Sequence, residues 1–550
     1  MTLLQPNTPW WQSAIVYQIY PWSFQDSNGD GIGDLPGIIS RLDYLNGSPD
    51  SLGVDAIWLS PIYPSPMHDF GYDVSDYCDI DPRFGTLEDF DRLVSEAHRR
   101  GIRVVMDLVL NHTSNQHPWF IESRSSRTSA KRDWYYWADG KSGRRPPNNW
   151  AARFGGSAWT HDPHTGQYYL HSFLSEQPDL NWTNPAVRDA VFGVVRFWLD
   201  RGVDGFRLDA INWLGKDTSW PDNPARLAWR SYYRQIHRYD RDQPHTHEAL
   251  RALRSSLKDR EDILLVGETS SDTPGGPAAF YGNGSNELHE VFDFRLLRSD
   301  WHPDTFRRLI LDSDRAVPQG GWPPVVFSNH DQSRHIDRYG AGGEAIRRAR
   351  AAALLLFTLR GTPFVYYGEE LGLHDGRLRR ADLHDPYTIR YWPWKTGRDP
   401  ARTPMPWDDS PQAGFTTGRP WLPLSHAWRQ TNVAGEQRDP GSILSLYKRL
   451  IRMKKGSNAL TVGTYHPIDG VPPECLFFTR ESLVDGQREA LFIAVNFSAH
   501  TQKISLPAGP SNLERHGTLM LSTDPQRAEG PWTADHFLLG PDEGIVVSLQ

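Results

Sequence analysis

Four carboxylates stand at or just past the ends of short apolar runs, where a barrel of parallel strands would gather them into one site. Asp107, Asp209, Glu268 and Asp331 go with the runs Arg103 to Leu108, Gly205 to Leu208, Ile263 to Val266 and Val325 to Phe327. Arg207 precedes Asp209 by two positions, which puts both side chains on one face of a strand. Chemistry that needs several carboxylates and no obligatory cofactor is glycoside cleavage. One carboxylate attacks the anomeric carbon, while a second, kept protonated, feeds the leaving oxygen and later activates water. A retaining site sets the two roughly 5–5.5 Å apart. Adjacent strands bearing Asp209 and Glu268 would supply that gap, with Arg207 holding the nucleophile ionised. Any one of these residues alone reads equally well as a loop cap or an ion pair. Their number on one rim points to catalysis.

The elements that must position them recur regularly. Val16 to Tyr20, Ala56 to Leu59, Arg103 to Leu108, Gly205 to Leu208, Ile263 to Val266, Val291 to Phe294, Val325 to Phe327 and Phe364 to Tyr367 read as eight strands. Helical segments such as Leu87 to Arg100 and Pro185 to Arg201 lie between most of them. Strands alternating with helices mean parallel βαβ units, and eight in this length predict an α/β fold with a closed (β/α)8 barrel, whose active residues stand at the carboxyl ends of the strands. The third unit breaks the pattern: residues 112–181 show no clear helical period and many Trp, Tyr, Gly and Pro residues, so a loop-rich subdomain is expected there. Residues 1–111 and 182–460 would form the barrel. From 461 to 550 short strands such as Leu491 to Val495 and Gly544 to Leu549 predict a terminal antiparallel β-sandwich. The stretch Lys216 to Asp262, rich in Arg and aromatic residues, reads either as a loop narrowing the site or as an extended helix.

Composition narrows the function. At 550 residues the chain exceeds one ordinary core. Its 38% hydrophobic and 23% charged residues are those of a globular protein, and a net charge of -8 argues against a nucleic-acid or anionic-membrane binder. Cys78 and Cys475 offer no disulfide framework and no metal-ligand spacing. Met1 to Pro6 carries no basic segment leading into an apolar run, and no stretch approaches the ~18 consecutive apolar residues of a spanning helix, so a cytoplasmic protein, monomer or homodimer, is expected. The 22 tryptophans suit either core filling or stacking on sugar rings.

The residues themselves carry a family likeness. Asp107-Leu108-Val109-Leu110-Asn111-His112, Gly205-Phe206-Arg207-Leu208-Asp209, Gly267-Glu268 and Ser328-Asn329-His330-Asp331 resemble the four ordered signature regions of the α-amylase family, glycoside hydrolase family 13. Gln177-Pro178-Asp179-Leu180-Asn181 and Gly361 to Glu370 look like its accessory regions, the former in the form of the oligo-1,6-glucosidase and α-glucosidase branch. The likeness runs from Trp10 to about Lys455. It implies Asp209 as nucleophile, Glu268 as acid/base, and Asp331 as the carboxylate that holds ring hydroxyls. It implies that His112 and His330 donate to the same glucose. Asp69-Phe70-Gly71-Tyr72 resembles the pocket-closing motif of exo-acting relatives, with Asp69 on a hydroxyl and Tyr72 as a platform. Arg398 resembles the arginine that reaches that glucose, a role less suited to Arg402. Phe154 and Phe173 suit either the pocket or ordinary packing. The substrate implied is a short oligosaccharide or disaccharide.

Asp26-Ser27-Asn28-Gly29-Asp30-Gly31-Ile32-Gly33-Asp34 places oxygen donors at alternate positions around a glycine-rich turn, which suits calcium or magnesium, although Gly37 replaces the final Glu of an EF-hand loop. From spacing alone a metal-free polar turn is the ordinary reading. The loop also resembles the calcium loop of related glucosidases, which implies a structural cation on Asp26, Asn28, Asp30, the Ile32 carbonyl and Asp34. Ala210 follows the nucleophile. In similar enzymes Ala or Thr there accompanies α-1,4 cleavage and Val accompanies α-1,6 cleavage, so maltose and short malto-oligosaccharides are expected. Isomaltase, trehalose-6-phosphate hydrolysis and transglycosylation stay open. His335-Ile336-Asp337-Arg338-Tyr339 stands where sucrose isomerases usually carry Arg-Leu-Asp-Arg-Asp. A non-catalytic barrel protein with a membrane anchor is disfavoured, because all three catalytic carboxylates are present.

Overall fold

A computed structural model describes residues 8–142, 145–260, 262–270, 275–393, 397–506 and 514–549. Residues 1–7, which include the segment read for a leader, lie outside them. Eight parallel strands form the barrel, labelled here in barrel order: β1 (Val16–Ile19), β2 (Ala56–Leu59), β3 (Arg103–Val109), β4 (Gly205–Asp209), β5 (Leu264–Glu268), β6 (Glu290–Phe292), β7 (Pro324–Val326) and β8 (Thr362–Tyr366). The ladder runs β7-β8-β1-β2-β3-β4-β5-β6. Its seam is bridged by the Trp322 N–H, which donates to the His289 carbonyl at 3.4 Å. All eight strands fall within two residues of the sequence reading.

Period-two alternation sorts each strand's side chains. Val16, Ala56, Trp58, Val105, Leu264, Val266, Phe292, Val326 and Phe364 pack together inside the barrel, whereas Tyr17, Ile57, Val104, Phe206 and Leu265 face the helical shell. The helix Leu87–Arg99 shows how the shell is specified. Thr86 and Asp89 form a capping box, and Phe90, Leu93, Val94 and Ala97 recur at helical spacing on the buried face.

Residues 112–181 hold more regular structure than their sequence suggests. A helix, Pro118–Arg124, has Pro at its first turn, and a three-stranded antiparallel sheet joins Trp137–Ala138, Tyr168–Leu170 and Trp159–His161. Strands of two or three residues are too short to show a period, so they were invisible in the sequence. Residues 216–243 are mainly irregular, with a 3-10 turn at Tyr232–Arg234, and an α-helix follows at Pro244–Ser256. From Thr464 a six-stranded antiparallel sheet packs Phe477, Phe492 and Ile545 against Ile504 and Phe537 of a two-stranded one. Cys475 is buried in that core, Cys78 is half-buried, and both are free thiols. Among the described residues no helix is long and apolar enough to cross a membrane.

Candidate active site

The alternation that fills the barrel also builds its upper rim. Asp107 continues the inward face of Val105, Arg207 and Asp209 that of Gly205, and Glu268 that of Leu264 and Val266. In register Asp107 pairs with Arg207 across β3 and β4, and Arg207 with Val266 across β4 and β5. The buried Arg207 guanidinium therefore meets three carboxylates. Its Nη1 lies 2.8 Å from both Asp107 Oδ1 and Asp209 Oδ1, and its Nη2 contacts Glu268. Burial pushes the Asp209 carboxyl up to about 6 against the pull of Arg207, with Asp107 and Asp331 adding to the rise. Burial likewise raises Asp107, partly offset by Arg207.

A hydrogen-bonded chain fixes the platform beside this centre. An amide NH2 only donates, so Gln18 Nε2, 2.8 Å from His330 Nδ1, leaves the ring proton on Nε2. That proton is directed to Tyr72 Oη at 2.7 Å, and Tyr72 donates to Asp107 Oδ2 at 3.0 Å. The Tyr72 and His330 rings stack within 4° of parallel. Burial drives His330 down to about 3, which agrees with a neutral ring.

Asp331 lies 3.2 Å from Arg402 Nη2 and 3.5 Å from Arg398 Nη1. Burial works against its ionised form, but His330, Arg398, Arg402 and Arg207 together hold it well below the usual carboxylate range. Since His330 is neutral, the permanent charges responsible are the arginines. Arg398 also meets Asp69 at 2.5 Å and Asp385 at 2.6 Å. Burial raises Asp69, with Arg398 acting in opposition.

These groups surround a cavity of about 700 Å³ at the carboxyl ends of the strands. Asp69, Tyr72, His112, Phe173, Asp209, Ala210, Glu268, Asp331 and Arg398 line it, and so does Phe154. Arg207 and His330 stand one layer back, each 1% exposed. Both arginines weighed from the sequence reach Asp331. Arg398 does so from the cavity wall, whereas Arg402 acts from beneath and also donates to the His330 carbonyl at 2.8 Å. Among the tryptophans Trp213 lines the cavity, while Trp58, Trp150 and Trp198 are fully buried core.

The accessory motif braces the wall. Gln177 Nε2 donates to Asp69 Oδ2 at 3.2 Å, and Asp179 holds Asn111 at 2.9 Å and Lys216 at 3.0 Å. Arg153, Arg230, Tyr233 and Tyr387 also line the cavity and were not singled out from sequence. Two of them lie in the Arg- and aromatic-rich stretch after Lys216, whose composition was the available signal. Asp385, the third carboxylate on Arg398, lies in no motif.

The loop after β1 curls through Gly29 and Gly31, both at positive φ. Asp26 accepts the N–H groups of Asn28, Gly29 and Gly31; Asn28 accepts from Asp30, and Asp30 from Ile32. Asp34 caps the next helix by accepting from Gly37. Among the described residues no three His, Cys, Asp or Glu side chains form an ion-binding cluster. Burial raises Asp34, and Asp26 adds to the rise.

A parallel barrel that gathers carboxylates and arginines around one cavity at its strand ends has the build of a barrel enzyme. Residues 18–463 match the family model described as the catalytic domain of alpha amylase. A probable alpha-glucosidase of Rhizobium meliloti (strain 1021) is 46% identical over 534 residues, covering 94% of each chain. An oligo-1,6-glucosidase of Parageobacillus thermoglucosidasius is 41% identical, covering 90% of this chain and 92% of its own. The crystal structure of the alpha-glucosyl transfer enzyme XgtA superposes with a TM-score of 0.90 at 42% identity, covering 99% of this chain and all of that one. The chain belongs to the α-amylase family of glycoside hydrolases.

Proposed function

We propose that the chain is a retaining, exo-acting α-glucosidase that releases glucose from the non-reducing end of short α-linked oligosaccharides, leaning to α-1,4 links. The observation that carries this reading is the Arg207 bridge between Asp209 and Glu268 in the cavity wall. Two carboxylates spanned by one guanidinium suit the roughly 5–5.5 Å gap of a retaining site better than the roughly 6.5–9.5 Å of an inverting one. Asp209 is the nucleophile, kept ionised at neutral pH with Arg207 as counter-charge. Glu268 gives its proton to the leaving oxygen and takes one back from water. Asp331, ionised by its arginines, accepts hydroxyls of the distorted sugar. The Asp69–Arg398 pair closes the glucose end of the pocket, which supports exo action. Water and a second sugar are both able to intercept the glucosyl enzyme, so transglycosylation belongs to the reading. Comparing turnover of maltose and isomaltose tests it: activity on neither sugar would overturn the glucosidase reading.

Ala210 supports the linkage preference. It lines the cavity with a left-handed backbone (φ 48°, ψ 42°), packed among Phe173, Trp213 and Tyr232. Ala210→Val adds two methyl groups facing the aglycone route. The maltose-to-isomaltose ratio of kcat/KM should fall by about ten- to two-hundredfold, the worth of methyl-scale crowding. A β-branched residue at positive φ should also lower stability by about 1–3 kcal/mol. An unchanged ratio would remove Ala210 from specificity.

The loop after β1 fits a structural calcium or magnesium ion by donor type: Asp26, Asn28, Asp30 and Asp34 with the Ile32 carbonyl, all oxygen. The ion takes no part in chemistry. Chelation should remove about 3 kcal/mol of stability if the ion had been present at a hundredfold excess over Kd. Melting temperature would fall by several degrees with kcat/KM at 25 °C nearly unchanged. An unaltered melting temperature would count against the site.

A further inference from the structure

Arg398 stands between three carboxylates, of which Asp69 and Asp331 line the cavity. The third, Asp385, is fully buried, so no sugar hydroxyl reaches it and any part it takes in the reaction passes through Arg398. Its Oδ1 accepts from Arg398 Nε at 3.0 Å and from Nη2 at 2.6 Å. Nη2 also donates to Asp69 Oδ1 at 2.5 Å, and Nη1 lies 3.5 Å from Asp331 Oδ1. Contacts on Nε and Nη2 together fix the plane of the guanidinium.

The other oxygen of Asp385 holds the root of the same side chain. Oδ2 accepts the Arg398 backbone N–H at 3.2 Å, along with the Thr388 N–H at 3.2 Å and the Thr388 hydroxyl at 2.6 Å. Asp399 Oδ2 in turn accepts the Asp385 N–H at 2.8 Å. The approach is close enough to require glycine at 397, which has φ +65° and where a Cβ would overlap Thr388 Oγ1. Burial works against the Asp385 anion, yet Arg398, Arg402 and Thr388 hold its carboxyl well below the usual carboxylate range. The same carboxylate caps the helix Pro386–Tyr391, whose Tyr387 lines the cavity. Without such an anchor, a long side chain would be free to settle on Asp69 or on Asp331 alone.

The geometry points to Asp385 as a positioning residue of the glucose subsite: it pins Arg398 by tip and root, so that Nη2 serves Asp69, Nη1 faces Asp331, and neither carboxylate draws the guanidinium from the other. This inference rests on the glucosidase reading above.

The test is a double-mutant cycle in the full chain, with D385S, R398M and the pair assayed on 4-nitrophenyl α-D-glucoside and for inhibition by glucose. Serine still caps the helix but is too short to hold the guanidinium, so D385S separates the two roles of Asp385. It should lower kcat/KM by about ten- to a hundredfold, the worth of a hydrogen bond to a charged group. The glucose inhibition constant should rise at least about fivefold. Loss of folded enzyme would lower apparent kcat and leave that constant where it was. In the R398M background D385S should cost less than about threefold, because a residue acting through Arg398 has nothing left to position. Wild-type behaviour of D385S, a lower kcat with an unmoved glucose constant, or an undiminished loss in R398M would each overturn the proposal. If R398M does not fold, the glucose constant of D385S decides alone. No turnover of the glucoside by the wild-type chain would instead overturn the glucosidase reading beneath it.

Discussion

Asp209→Asn should lower kcat on maltose by at least about 10^4-fold, since removing a nucleophile leaves only binding and electrostatic stabilisation. The amide cannot attack the anomeric carbon, but it keeps an oxygen for Arg207. That matters because breaking a buried ion pair outright costs about 3–5 kcal/mol. Asparagine therefore separates chemistry from folding better than alanine does, and the melting temperature should change little. The same carboxyl governs the acid side of the pH profile. Burial raises it to about 6, and it attacks only when ionised. Wild-type kcat/KM should thus hold near neutral pH and fall as pH drops through about 6, approaching tenfold per pH unit. Wild-type-like turnover from Asp209→Asn would reject the nucleophile; a flat profile from pH 7 to 5 would reject its raised carboxyl.

Glu268→Gln should cost about 10^3-fold on maltose, within the 10^2–10^4 range of general acid catalysis. The loss should depend on the leaving group. A sugar alkoxide needs a proton as it departs, whereas 4-nitrophenolate does not. Glycosylation from 4-nitrophenyl α-D-glucoside should therefore survive far better than maltose cleavage. The second step still needs a base to activate water, so the glucosyl enzyme should accumulate and give a burst of nitrophenol equal to the enzyme present. Equal losses on both substrates, without a burst, would make Glu268 a structural partner of Arg207 instead.

The eight strands were legible because β-branched runs alternate with helical patterns, and the rim carboxylates because they sit at fixed offsets from those runs. Two-residue spacing alone makes Arg207 and Asp209 neighbours on one strand face. The Gln18–His330–Tyr72–Asp107 chain was not legible, for it joins four strands or their loops through contacts that no local pattern records. The support Arg402 gives Asp331 from beneath the cavity was not legible for the same reason. Its position beneath His330 follows from how the segment after β8 folds back across the barrel mouth. Asp385, on a short helix cap with no motif, shares its arginine with Asp69 only in three dimensions. The subsidiary sheet within residues 112–181 escaped because its strands are shorter than one period of alternation can reveal.

The most direct test of the central claim is the anomeric form of glucose at the moment of release. Maltose should be mixed with enzyme in an NMR tube and the anomeric protons followed before mutarotation mixes them. Double displacement through Asp209, with Glu268 as acid and then base, predicts α-glucose first. Early β-glucose would mean a single displacement by water and would contradict the account of Asp209 as nucleophile.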